Sequence, residues 1–183
     1  MYRGIRLDSL NVDSYGTALA ALAQRARKSR KVKEAECVRP GGTEAPLGHP
    51  RSNVTGVRMG RDEEIRFRLY NTDVVVWWPD GSVEIENYGS VTTSAFANTV
   101  LPHRIYLPKR EELVCFNGWV CKGSVVRLEQ VDGIWQADES TIDTIRYPVL
   151  NRKLARKVRE HFHLRDFEEW VTVGSAHFRI EHD

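Results

Sequence analysis

Asp80, Glu84 and Glu86 are the residues whose types and spacing come nearest to catalytic chemistry in this chain of 183 residues. Clustered carboxylates around a divalent ion, usually with a lysine beside them, activate water for phosphodiester cleavage. No lysine follows these three, and Asp80 is fully accounted for as the turn residue of Pro79-Asp80-Gly81. A metal-dependent nuclease built on them is therefore an alternative reading and not the leading one. Asp62, Glu63 and Glu64 stand at a loop end and read as solvated charge. Among six histidines only His161 and His163 form a tight pair. On a helix their side chains diverge by roughly 200°, so one ion cannot take both unless the helix has already ended. His161 falls on the apolar side of that helix, as a packed residue. Paired CxxC ligands, a GxSxG elbow and P-loop spacing are all missing from the sequence. No catalytic residue, metal ligand or cofactor is expected.

Positive charge is the other chemistry on offer. Arg25, Arg27, Lys28, Arg30, Lys31 and Lys33 fill six of the nine positions from 25 to 33, with no acid among them. Spread at about 100° per residue, they would surround a helix on every side and leave it no face to bury. Two readings stand open. The segment is a frayed helix end, where the macrodipole favours cations, or an arm that contacts phosphates and gains affinity by releasing counterions. Arg66 and Arg68 alternate with apolar residues along a strand whose wet face is thereby basic. Arg152, Lys153, Arg156 and Arg159 form the outward side of a C-terminal helix, which is either a solvated face or a binding one. A net charge of +2 excludes a generic polyanion binder, so the asymmetry within the chain matters more than its total. No helix-turn-helix, RRM or zinc-finger pattern is present.

The elements that must position these groups centre on residues 64–102. Ile65, Phe67 and Leu69 alternate with Arg66, Arg68 and Tyr70, the period of a strand with one packed face. Val74 to Trp78 runs apolar without alternation, as in a strand covered on both sides, and stops at the turn Pro79-Asp80-Gly81. Trp78 opposite Ser82 would place Val75 and Trp77 with Ile85 and Val83. Val74, Val76 and Trp78 would then lie beside Glu84 and Glu86, unless a bulge shifts the register. Such an apolar row calls for a second layer, the N-terminal helix for instance, or for a partner. Thr92 or Thr93 caps a short helix carrying Phe96 and Val100, which Pro102 ends.

Before this unit, Asn11 or Asp13 caps a helix striped by Tyr15, Leu19, Leu22 and Ala26. Residues 37–60 hold so many Pro and Gly that they read as one long loop. After it, the sequence predicts a strand at Arg104 to Leu107 and a hairpin across Asn117-Gly118 that pairs Cys115 with Val120 and Val114 with Cys121. Those cysteines point to opposite faces and should neither bridge nor share a metal. A further hairpin across Asp132-Gly133 puts Val126, Leu128, Trp135 and Ala137 on one core face. The count is six to eight strands. A helix over 148–163, striped by Tyr147, Leu150, Leu154, Val158 and Phe162, lies across the sheet before a mixed tail, 164–183.

The string Asn71-Thr72-Asp73-Val74-Val75, then Asp80-Gly81, Gly89 and Thr92-Thr93, resembles a pattern of small uncharacterised bacteriophage proteins. The downstream run Gln130 to Trp135 is similar to the hairpin closing their unit. The resemblance covers about residues 64–137 and departs after the threonine pair, where Ser94, Ala95 and Phe96 replace basic residues. It implies a viral origin and a host bacterial cytoplasm, and no activity. An odd count of three cysteines suits such a reducing compartment. No apolar run approaches the roughly 20 residues that cross a bilayer, and the first ten residues have no apolar signal core.

The sequence thus predicts one α+β domain: an antiparallel, hairpin-built sheet or partly open barrel, packed by an N-terminal helix and a C-terminal amphipathic helix. The expected function is non-catalytic. A phage accessory or inhibitor protein would occupy a host protein, nucleic acid or nucleoprotein complex, a host defence complex among them, through its basic surfaces. A virion structural component is the third reading, which would expose apolar self-complementary surface.

Overall fold

The computed structural model describes residues 10–48, 54–116, 119–138 and 140. The expected helix over 148–163 and the tail 164–183 lie outside the described residues. The chain forms a mixed α+β structure. Helix α1 (Tyr15–Lys28) and the short α2 (Glu34–Cys37) come first, followed by strands β1 (Ala45–Pro46), β2 (Thr55–Met59), β3 (Ile65–Leu69), β4 (Thr72–Trp77) and β5 (Val83–Glu86). Helix α3 (Val91–Val100) then leads to β6 (Ile105–Tyr106), β7 (Leu113–Phe116), β8 (Trp119–Lys122), β9 (Val125–Val131) and β10 (Ile134–Ala137). The strands make a seven-stranded antiparallel sheet, β1-β2-β3-β4-β5-β9-β10, and a three-stranded one, β6-β7-β8. Among the described residues there are ten strands in two sheets, where six to eight in one sheet or a partly open barrel were expected.

The excess comes from the supposed long loop, which contains β1 and β2. Gly56 lies inside β2 because a Cβ there would collide with the Glu44 side chain. Pro46 is tolerated because β1 is a two-residue edge strand that needs few ladder bonds. Local turn chemistry was a better guide elsewhere. Trp78 donates its N–H to the Ser82 carbonyl at 2.9 Å, Gly81 takes φ +88°, and Asp80 Oδ1 accepts the Ser82 N–H at 2.8 Å. The β4–β5 register therefore pairs Val75 with Ile85 and Trp77 with Val83, as expected. The Asp132-Gly133 hairpin and the pairing of Cys115 with Val120 also match.

Both capping expectations are corrected by one residue type. Ser14, not Asn11 or Asp13, caps α1, in a reciprocal capping box with Thr17. Asp13 instead accepts from the Ser14 and Thr17 hydroxyls, and Asn11 accepts from the His103 N–H. Ser90, not Thr92 or Thr93, caps α3, its hydroxyl oxygen accepting the Thr93 N–H at 3.0 Å. In each case the serine lies one residue before the helix, where its oxygen reaches an otherwise unpaired N–H.

One apolar core joins these parts. Ala18, Leu22 and Ala26 of α1 and Phe96, Ala97 and Val100 of α3 pack with Val57, Phe67, Val75, Ile85 and Val126, successive cross-strand neighbours on one sheet face. Trp77 meets Trp135 edge-on, centroids 5.8 Å apart. Segment 10–12 ties onto α3 through backbone bonds from Leu10 to Thr99 and Val12 to Val100, both 2.8 Å.

Candidate nucleic-acid interface

The opposite face of the large sheet carries its charge. At Phe67/Arg68 the register between β3 and β4 slips by one residue, so that Arg68 faces Asp73 while Phe67 still faces Val75. This bulge moves Val74 into the core and Asp73 onto the charged face. There Asp73 Oδ2 accepts from Arg58 and Arg66, each at 2.9 Å. Glu64 takes two further Arg66 donors, and Glu44 is held by Arg68 through a double hydrogen bond. Three guanidinium groups face three carboxylates.

The wet basic strand face expected from Arg66 and Arg68 is therefore corrected: both side chains are part-buried and neutralised in place. Burial pulls the Arg66 pKa down, but bonds from Asp73 and Glu64 overrule it and the group stays firmly charged. The Glu44 hydrogen bond raises Arg68 in the same direction. Glu64, expected in solvent, is 1% exposed. The signal was present in the sequence, since Glu64 stands two residues before Arg66 and residues i and i+2 share a strand face. Glu44 had no such signal, being 24 positions from Arg68.

Further across this face, Arg127 gathers Asp80 at 2.7 Å, Glu84 at 3.5 Å and Glu129 at 3.7 Å. Its guanidinium also lies 5.6 Å from the centre of the Trp78 ring. Val76, 7% exposed, sits between its cross-strand neighbours Arg66 and Glu84. Charged side chains and their aliphatic stems thus flank the apolar row where a helix was expected. Asp80, Glu84 and Glu86 do not converge on one point: the first two share Arg127, and Glu86 borders an open groove of about 410 Å³ with Arg66, Asp73, Val76, Glu84 and Val125. Burial and the nearby Asp73 charge raise the Glu86 pKa. Asp80 goes the other way, because its bonds from Ser82 and the Arg127 charge outweigh burial. Among the described residues, no three His, Cys, Asp or Glu side chains are placed to hold a metal ion.

The cations of 25–33 have a different fate. The helix expected to carry all of them stops at Lys28, and Ser29 turns into extended backbone. Ala26 inside this stretch is buried, so one face is packed after all. Arg27 forms a forked pair with Glu34, Nε to Oε2 and Nη2 to Oε1 both at 2.7 Å, which links α1 to α2 across the turn. Lys28, Arg30, Lys31 and Lys33 are exposed on that turn, and Arg25 is half-buried behind them. Lys33 lies 4.0 Å from Glu36 and keeps 85% of its side chain in solvent. The six cations of this corner lie at the α1–α2 junction, whereas Arg66 and Arg68 stand on β3. Arg152, Lys153, Arg156 and Arg159 lie outside the described residues.

No helix among the described residues is long and apolar enough to cross a membrane. Compared with protein-family models, curated proteins and solved structures, the chain matches none.

Proposed function

We propose that the protein is a non-catalytic binding protein that engages a nucleic acid or nucleoprotein complex through the 28–33 turn. The observation that carries this reading is the exposure and close spacing of the cations at the α1–α2 junction. Lys28, Arg30, Lys31 and Lys33 are all exposed within six consecutive positions that hold no acid. Lys33, which lies 4.0 Å from Glu36, still keeps 85% of its side chain in solvent. Exposed, closely spaced cations are the electrostatic footprint of a polyanion site. The resemblance in 71–93 to phage proteins supports a setting in which the bound complex belongs to a bacterial host, with the protein acting as an accessory or inhibitor.

The nuclease alternative draws less support, because Asp80 and Glu84 are engaged by one guanidinium. Electrophoretic mobility of a labelled duplex tests the reading. The wild-type protein should retard it at low salt, and the variant carrying Lys28→Ala, Arg30→Ala and Lys33→Ala should not. Equal retardation by both would move the site elsewhere.

A further inference from the structure

We infer that the 28–33 turn reads the phosphate backbone of a double-stranded nucleic acid and not its bases, so that binding is indifferent to sequence; this deepens the function proposed above and rests on it. Three observations carry it. First, base recognition in single strands uses aromatic faces on which bases stack, and from α1 through α2 the one aromatic side chain is Tyr15, the next along the chain being Phe67. Tyr15 is at the far end of α1 from the turn, about 20 Å away at the helical rise per residue, and its hydroxyl is committed to the Glu63 carbonyl. Phe67 is buried in the core.

Second, base edges in a duplex are read mainly in the major groove, by a helix or a β-ribbon that enters it. Arg30, Lys31 and Lys33 sit on an irregular segment of five residues, 29–33, between two helices, and Lys28 is the last residue of the first. The longer helix is occupied on one side, since Ala18, Leu22 and Ala26 pack into the core.

Third, the turn is held at both ends. The forked Arg27–Glu34 pair links its flanking helices, the Lys31 N–H bonds the Ser29 hydroxyl at 3.2 Å, and the Glu36 N–H bonds the Lys33 carbonyl at 3.0 Å. Cations set close together on a short turn suit the closely spaced phosphates of a duplex, which also has the higher charge density of the two forms.

Fluorescence anisotropy with four probes tests this: two labelled DNA duplexes of unrelated sequence, one labelled oligothymidine strand of the same length, and inorganic polyphosphate as competitor. The two duplexes should bind within about twofold of each other, the single strand more weakly, and polyphosphate should displace both duplexes. With three to four phosphates contacted, log K should fall against log salt with a slope of about −3 to −4. A tenfold preference for one duplex, or tighter binding of the single strand, would overturn the backbone reading while leaving the binding function standing. No binding to any probe at about 50 mM salt would overturn both. A control variant, Arg104→Ala with Lys109→Ala and Arg110→Ala, removes the same charge from exposed positions in another segment. It should bind as the wild type does; a loss equal to that of the turn variant would show that only total charge matters, against this inference.

Discussion

At the scale of single residues, two glutamates have opposite situations and opposite expected behaviour. Glu34 is solvent-exposed in part and its pKa is lowered by the Arg27 hydrogen bond, so the pair persists until the pH falls below the usual carboxylate range. It also withholds Arg27 from the turn. Glu34→Gln should therefore free a cation, tighten duplex binding and steepen the salt slope by about one; an unchanged slope would mean that Arg27 is badly placed to join. Glu86 has its pKa raised by burial and by Asp73, so its charged form costs the fold something. A raised carboxylate destabilises above its folded pKa, and stability is regained as pH falls toward the unfolded value. Glu86→Gln should stabilise at neutral pH by about half a kcal/mol or less, because the half-buried group borders an open groove in which solvent screens its charge. The gain should vanish in acid, below the ordinary glutamate range, and thermal melts at both pH values would show it. A loss of stability at neutral pH would mean that Glu86 has a favourable partner.

At the scale of elements, what could be read in advance was what local chemistry decides. The Pro79-Asp80-Gly81 and Asp132-Gly133 turns set their own registers, and with them the inward row of Val126, Leu128 and Trp135. The β1–β2 pair was hidden because its glycine and proline are explained only by distant groups: Gly56 makes room for Glu44, which in turn reaches Arg68. The bulge that lifts Asp73 onto the charged face has no local mark either, because Val74 and Val75 are equally apolar. Within the candidate site, the cluster of cations was legible from composition. Its division into a packed Ala26, a paired Arg27 and an exposed turn was not, since each depends on contacts across the corner. Two glycines test this packing. A Cβ on Gly42 would sit 2.6 to 2.8 Å from the carbonyl oxygens of Glu36, Cys37 and Arg39, which are backbone and cannot swing away. One on Gly60 would meet the Glu64 side chain first. Gly42→Ala should cost about 3 kcal/mol and Gly60→Ala about 1 to 2 kcal/mol, read as shifts in the urea midpoint at constant slope. The reverse order would mean that the Glu64–Arg66 pair, not the α2 turn, is the stiffer part.

At the scale of the whole molecule, Arg58, Arg66 and Arg68 cancel Glu44, Glu64 and Asp73, so the sheet's busiest charged region adds nothing to the net +2. Among the described residues, the exposed cations of the 28–33 turn then stand out from this balanced face, which is why the turn is the proposed contact. The core beneath should be inert. Cys37, Cys115 and Cys121 are free and buried, and burial pushes the Cys115 and Cys121 thiols up to about 12. Iodoacetamide should modify none of the three in the native protein at neutral pH and all three in denaturant; rapid native labelling would show a core that opens.

The proposed partner site is the 28–33 turn and not the acidic groove at Glu86. The most direct measurement is a two-dimensional amide NMR titration of the protein with a short DNA duplex. Shifts confined to residues 25–37, fading as salt is added, are the predicted result. Shifts centred on Asp73, Glu84 and Glu86, or no shifts at low salt, would contradict it.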